Sequence, residues 1–351
     1  MSVKIVSFII PSYNSAHTVK RCLDSIYTLS LKPEEFEVIF IDDCSTDNTI
    51  SIIEDFKSQV SNLTLLRQSK NNRQGAARNR GVRVAKGEYI CFVDSDDAVT
   101  EGIVDAIRLA KEKQTDMTAF HLAFVDKEGQ IAKENDRLSF PQGQVFSGIE
   151  LQNRHSYWFS GPVAYIYSKA FLNKTNYPFR EGVLYEDADF VTAHLYYAKR
   201  MTYSSLLGYL AYYREGSTTH TITHKNMADF ILLGVRMLRL YERVMSDVSS
   251  KLYDVSEAEI NKFAEDVLEG ACWNMRVSTK RMIKLSSIKE VRLCYDRLDT
   301  CLNRQELCAD NRLRKYYWDL WTTICLAHKR LAIVLLSVLI PMYKCMKLLR
   351  K

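Results

Sequence analysis

Glycine and proline are scarce in this chain, 13 and 6 residues of 351, and no tract of low complexity accompanies them. That pairing excludes a long disordered linker. No segment repeats. The nine cysteines include no CxxC pair and no zinc-type spacing with histidine, which excludes a zinc module. Nine is odd and several sit inside apolar runs, so buried, reduced thiols of a cytosolic protein are expected. The amino terminus lacks the charged start and long apolar segment of a signal peptide. Against these absences stands the composition of an ordinary folded protein, 47% hydrophobic and 26% charged. The length suits one large domain with a substantial extension.

The net charge of +6 is unevenly spread. Residues 225–351 carry 23 Lys and Arg against 15 Asp and Glu, whereas residues 1–224 carry 25 against 27. The carboxyl-terminal third therefore suits an anionic partner, nucleic acid or a phospholipid surface, or is simply a solvated lysine-rich surface. The last segment, "KRLAIVLLSVLIPMYKCMKLLRK", has an uncharged run from Leu331 to Tyr343 with basic residues on both sides. Thirteen residues are too few to span a bilayer, which takes about 20. The flanking cations fit a helix lying on an anionic leaflet, or a terminal helix docked on its neighbours.

Short apolar runs alternate with helix-like segments as far as residue 125. Strands are expected at Val3–Ile10 (interrupted by Pro11), Glu37–Ile41, Leu63–Leu66, Tyr89–Val93 and Met117–Phe124. Helices are expected near Thr18–Leu29, Thr46–Phe56, Gly75–Ala85 and Glu101–Lys111, with Ser45 or Thr46 capping the second. Such alternation with short links predicts parallel βαβ units in an α/β, Rossmann-like, doubly wound sheet. From 125 to 224 the pattern is less regular, with short aromatic-rich strands and one helix near Asp187–Ala198. Beyond 225 it turns helical. In "EINKFAEDVLEGACWNM" one face gathers Ile260, Phe263, Ala264, Val267, Leu268, Ala271, Cys272 and Met275, the pattern of a packed helix.

Parallel sheets bind ligands at the carboxyl ends of their strands. Three sequence stretches fall there: "PSYNS" (Pro11–Ser15), "DDCSTDN" (Asp42–Asn48) and "DSDD" (Asp94–Asp97). Three carboxylates within four residues suit a hard divalent cation, Mn²⁺ or Mg²⁺, which takes oxygen ligands and completes its shell with water and phosphates. Just before them, "NNRQGAARNRGVRVAKGEY" carries Arg73, Arg78, Arg80 and Arg83 into the acidic strand end. It has neither the lysine of a P-loop nor the glycine spacing of a dinucleotide site.

Taken together, "VSFIIPSYNSAHTVKRCLDSI", "FEVIFIDDCSTDNT", "NNRQGAARNRGVRVAKGEYICFVDSDD" and "VLYEDADF" resemble, in order and spacing, the inverting family 2 glycosyltransferases of the GT-A fold. The likeness is dense over residues 3–100, thinner to about 218 and absent beyond. It implies a catalytic domain over 1–224, with a nucleotide-binding half (1–100) and an acceptor half (101–224). A helical extension over 225–327 and the basic, apolar helix of 328–351 follow. The resemblance implies a base pocket from Pro11, Tyr13, Asn14 and Asp43, supported by Asp42, with Asp43 accepting a uracil N–H. It sets Arg78 and Ser95 near the nucleotide, Asp94 near the ribose, Asp96 and Asp94 at the metal, and Asp97 behind the loop. Asp187 would be the base that takes the acceptor's proton, with Glu186 the fallback. More loosely, Arg214 would face the diphosphate, His220 or His224 would complete the metal shell, and Tyr157 and Trp158 would meet the acceptor.

The implied activity is metal-dependent transfer from a nucleotide-sugar, with a UDP-sugar as expected donor, to a hydroxyl of a glycan in surface-polysaccharide synthesis. A lipid-linked glycan acceptor, a peripheral place at the inner face of the membrane and no nucleic acid partner are the accompanying expectations. Two rival readings share the acids and the sheet. A nucleotidyltransferase usually brings a glycine-rich loop with a lysine near the first strand, and "IIPSYNSAH" has none. A non-catalytic nucleotide-binding scaffold would not need the intact Asp94–Asp96 and Glu186–Asp187 pairs.

Overall fold

Two uninterrupted seven-residue runs, Val6–Ser12 (β1) and Phe36–Asp42 (β2), are buried at every position. This is how strands covered on both faces read. They lie in a computed structural model that describes residues 4–135, 138–155, 161–214, 222–248, 255–285, 287–300, 325 and 329–348. β1 pairs in parallel with β2 and with β4 (Tyr89–Phe92), and β2 pairs in parallel with β3 (Leu63–Arg67). Helices α1 (Val19–Tyr27), α2 (Thr49–Lys57) and α3 (Arg73–Val84) make the crossovers. α3 approaches the sheet closely at Gly81, where a methyl group would run into Ile9.

Past β4 the chain order scrambles. β5 (Ala98–Val99), β6 (Met117–Val125), β7 (Ile131–Glu134), β8 (Tyr165–Ser168) and β9 (Met201–Tyr212) extend the sheet to the order β3-β2-β1-β4-β8-β6-β9-β5, with β7 added on β6. β8, β5 and β7 run antiparallel to their neighbours, and the other pairings are parallel. The result is a mostly parallel α/β sheet. Around it lie α4 (Gly102–Lys113), α5 (Gly148–Arg154), α6 (Lys169–Thr175) and α7 (Glu186–Tyr197). α5 and α6 were not expected from the sequence. Each is only seven residues long, and each starts at a serine whose side chain caps it, Ser147 and Ser168.

Two local expectations are corrected. Pro11 does not interrupt β1, which runs on to Ser12. The Ile9 carbonyl accepts from Val93 on the β4 side, and the Ser12 carbonyl accepts from Asp43 on the β2 side. Alternation therefore turns the nitrogen of Pro11 toward β4, where the ladder has ended at Phe92. A missing N–H costs nothing there. Nor does Ser45 or Thr46 cap α2. Asn48 precedes the helix and makes no side-chain cap bond, while Asp47 accepts the Thr49 N–H at 3.0 Å. Ser45 is instead the acceptor for the Asn14 N–H, at 2.9 Å.

The chain divides into two compact units, Met1–Glu215 and Gly216–Lys351. The second holds α8 (His224–Val248), α9 (Glu257–Arg281), α10 (Ile288–Asp299) and the helix Lys329–Leu348. A reciprocal Ser256–Glu259 capping box starts α9. All eight residues of its predicted stripe are buried. Buried Asp229 of α8 accepts from Arg297 of α10 at 2.5 Å. In the last helix Ala332, Leu336 and Ile340 are buried, while Leu331 and Val334 are exposed. Among the described residues no helix is long and apolar enough to cross a membrane.

Candidate active site

The carboxyl ends of β1, β2 and β4 open on one crevice, and each end is shaped by a polar side chain. After β1, Asn14 takes a left-handed backbone (φ 50°) and its Oδ1 accepts the Thr46 N–H at 2.8 Å. Tyr13 beside it is exposed. After β2, Asp42 accepts the Ser45 N–H at 3.1 Å. Asp43 receives three bonds, from Gln68 Nε2 (2.8 Å) and the N–H groups of Asn72 (2.8 Å) and Arg73 (2.6 Å). It therefore organises the approach to α3, where Arg73 also sits at positive φ.

The turn after β4 is tied from behind. Ser95 shares a 2.7 Å hydrogen bond with Ser15, which also accepts from Ser12. β5 follows at once and pairs Ala98 with Leu210 and Val99 with Tyr209, so that β9 lies alongside the acids. The Tyr209 hydroxyl donates to Asp97 at 2.6 Å and accepts the Asp94 N–H at 3.1 Å. The Tyr212 N–H donates to the other Asp97 oxygen at 2.8 Å. Asp97 is buried, and burial, then the charges of Asp94 and Asp96, hold its carboxyl well above the usual range. Asp96 points outward toward Arg214, 3.2 Å away. Its carboxyl is also raised, by burial and by Asp94.

Arg78 joins this turn to the far side of the crevice. It is buried, with one nitrogen 2.9 Å from Asp94 and another 2.7 Å from Glu186. Burial opposes its charge, but the two carboxylates override that and keep the guanidinium firmly protonated. Beneath it Phe179 and Phe190 stack 3.6 Å apart, with the edge of Phe92 against both. Asn79 locks the 177–185 segment onto α3 by bonding both the carbonyl (2.9 Å) and the N–H (3.0 Å) of Phe179. Gly75 admits the Arg180 carbonyl where a methyl would collide with it. Tyr185, at φ 59°, then turns the chain sharply into α7. Glu186 is thereby driven inward onto Arg78, and Asp187 is left half-buried beside it. Burial first, then the neighbouring Glu186 charge, push the Asp187 carboxyl up to about 7, against the pull of Arg78.

The structure thus brings Pro11, Tyr13, Asn14, Asp42, Asp43, Arg78, Asp94, Ser95, Asp96, Glu186, Asp187 and Arg214 to one edge of the first unit. His224 bonds Glu290 at 2.8 Å within the second unit. Tyr157, Trp158 and His220 lie outside the described residues. Tyr209, Tyr212, Ser15, Arg21 and Asn79 carry no spacing signal in the sequence, because each meets a partner 75 or more residues away. Among the described residues no group of three or more His, Cys, Asp or Glu side chains is arranged to hold a metal. Asp94 and Asp96 still fit a divalent cation that takes one or two carboxylates and draws its other ligands from water and phosphate. Their mutual repulsion, seen in the raised Asp96 carboxyl, is what such a cation would relieve.

Residues 7–174 match the sequence model of the family described as Glycosyl transferase family 2. The chain is 36% identical over 126 residues to a poly(ribitol-phosphate) beta-glucosyltransferase of Bacillus spizizenii, a match covering 35% of this chain and 20% of that protein. It is 27% identical over 263 residues to the uncharacterized glycosyltransferase YibD of Escherichia coli, covering 72% and 74% of the two. The crystal structure of Staphylococcus aureus TarS 1–349 in complex with UDP-GlcNAc superposes with a TM-score of 0.67 at 22% identity, over 97% of this chain and 91% of that one. By sequence, the match to the Staphylococcus aureus poly(ribitol-phosphate) beta-N-acetylglucosaminyltransferase TarS covers 22% of that protein. The chain therefore spans about a fifth of the length of two of these relatives.

Proposed function

Residues 7–174 are a family 2 glycosyltransferase domain, and from that premise we propose that the protein transfers a sugar from a UDP-sugar to a hydroxyl of a polyanionic or glycan acceptor in cell-surface polymer synthesis. One observation carries the reading. Arg78 spans Asp94 and Glu186, so a single buried cation ties the turn that faces the nucleotide to the helix start that faces the acceptor. UDP and UDP-GlcNAc in the TarS structures and the poly(ribitol-phosphate) acceptors named for the relatives support the substrate classes.

In this mechanism Tyr13 and Asn14 border the base, Asp42 and Asp43 hold the wall behind it, and Asp94 lies toward the ribose. Asp96 and Asp94 would hold Mn²⁺ or Mg²⁺, which when bound supplies positive charge for the departing diphosphate. Arg214 adds a second positive charge at the same corner. Asp187 takes the proton from the acceptor hydroxyl as its oxygen attacks the anomeric carbon from the face opposite the diphosphate, giving inversion. A carboxyl held near 7 is a stronger base than an ordinary one, and about half of it is still ionised near neutrality. Glu186, bonded to Arg78, serves as that arginine's counter-ion and not as the base.

At the carboxyl end, exposed Leu331 and Val334 next to Arg330 are read as a strip resting on an anionic leaflet. Replacing both apolar residues by Asp should abolish sedimentation with vesicles rich in acidic phospholipid; unchanged binding would sink that part. For the activity itself, thermal shift with UDP-, GDP- and dTDP-sugars in Mn²⁺ is the direct test. A ligand that binds only the native state raises its apparent stability by RT ln(1 + [L]/Kd). UDP-sugars should do so selectively, and indifference to every nucleotide would overturn the proposal.

A further inference from the structure

Two arginines grip Asp96 in different ways. Arg214 reaches its carboxylate at 3.2 Å. Arg21, on the exposed side of α1, donates from Nη2 to its main-chain carbonyl. The Arg21 guanidinium carbon also lies 3.7 Å from the centre of the Tyr212 ring. The backbone that carries the ring is held in place, because the Tyr212 N–H donates to Asp97 at 2.8 Å. The rest of α1 follows the same turn. Cys22 Sγ lies 3.6 Å from the Asp94 carbonyl, and Ser25 accepts the Val99 N–H at 3.1 Å.

The grips differ in what contests them. A diphosphate or a cation competes directly for Arg214 and for the Asp96 carboxylate. A diphosphate has no claim on the Asp96 carbonyl or on the face of Tyr212, and a cation would meet that carbonyl already bonded to Arg21. We propose that Arg21 is the positioning residue for Asp96, holding the turn to the end of β9 while Arg214 is drawn from the carboxylate to the donor's diphosphate. Guanidinium is suited to this because its plane stacks on an aromatic face while its edge donates to a carbonyl, and lysine has no such plane. The inference rests on the donor reading given above.

The test is the Kd of UDP for the full chain, measured calorimetrically in Mn²⁺ and in EDTA. Arg21→Ala should weaken binding in Mn²⁺ by about tenfold, and Arg21→Lys should recover little of it. In an Asp96→Asn background, Arg21→Ala should add less than about twofold, since an effect that runs through Asp96 is lost with its carboxylate. A residue that merely stabilised the fold would lower the melting temperature and the binding-competent fraction. It would leave the Kd of that fraction unmoved and act equally in both backgrounds. Should Arg21→Ala fail to fold, Tyr212→Leu removes the ring side of the same clamp and should follow the same pattern. A Kd for the variant matching wild type, or an undiminished effect in the Asp96→Asn background, overturns the proposal alone. A wild type that binds no UDP overturns the donor reading and this proposal with it.

Discussion

In the parallel half of the sheet, β3-β2-β1-β4, three strands run straight into loops that carry candidate site residues. Pro11 to Asn14 follow β1, Asp42 and Asp43 follow β2, and Asp94 to Asp97 follow β4. In the mixed half, β8-β6-β9-β5, the contributions arrive from far along the chain. Tyr209 and Arg214 reach the acids across more than a hundred residues, and Glu186 reaches Arg78 across 108. The parallel half supplies carboxylates on the edge of the sheet. The mixed half supplies what neutralises and tunes them. A site built this way depends on the long-range half for its charge balance, and substitutions can separate the two contributions.

The largest effect should come from Asp187→Asn. Losing the base should slow transfer by a factor of about 10² to 10⁴, with UDP affinity kept, when sugar release and nucleotide binding are measured on the same preparation. Full activity would place the base elsewhere. Arg78→Leu should come next. It leaves buried Glu186 and the Asp94 carboxylate without their shared cation, and removing one partner of a buried ion pair costs about 3–5 kcal/mol, read by urea denaturation. A loss below about 1 kcal/mol would mean that the two halves are not joined through it.

Gly75→Ala pushes a methyl into the Arg180 carbonyl and should cost about 1–3 kcal/mol, with Asp187 displaced along with the loop. Tyr209→Phe removes the donor to buried Asp97 and the acceptor of the Asp94 N–H. A penalty of about 1–2 kcal/mol is expected, and none would show that β9 does not brace the turn. The last contrast is in stability against pH. The folded state keeps the Asp187 proton up to about 7, whereas an unfolded carboxyl releases it near 3.9. The stabilising contribution of this group is therefore full below the unfolded value and is lost as pH rises through about 7. Asp187→Asn should flatten the melting temperature across that window. In the same range kcat/KM of the native protein should fall with decreasing pH, as the base protonates.

The same contrast decides what the sequence reveals. β1 to β4 and their crossovers are written locally, as short apolar runs and turn residues, and their end residues name the crevice. Asp94, Asp96 and Arg78 stand out there because charge beside an apolar run is conspicuous. The stripe of α9 is legible for the same reason. By contrast, Tyr209 lies in "LGYLAYYR", where several aromatics are equivalent until β9 is laid beside β5. The different surroundings of Glu186 and Asp187 depend on the backbone at Tyr185, which no composition signals. Pro11 looked like a strand breaker because its role depends on where the neighbouring strand stops.

Four non-glycine residues border the crevice with left-handed backbones: Asn14, Cys44, Arg73 and Tyr185, at φ 50°, 68°, 67° and 59°. Each such conformation costs about 1–2 kcal/mol for a residue with a Cβ. Anyone hardening this protein for use would find the easiest gains at these positions, since glycine would accept the same backbone at no steric penalty. Yet at Asn14 and Tyr185 the side chain or the turn it commands shapes the crevice itself. At those two the reserve of stability and the shape of the crevice rest on the same residue, so a selection for heat resistance alone should drift toward a protein that endures and does little.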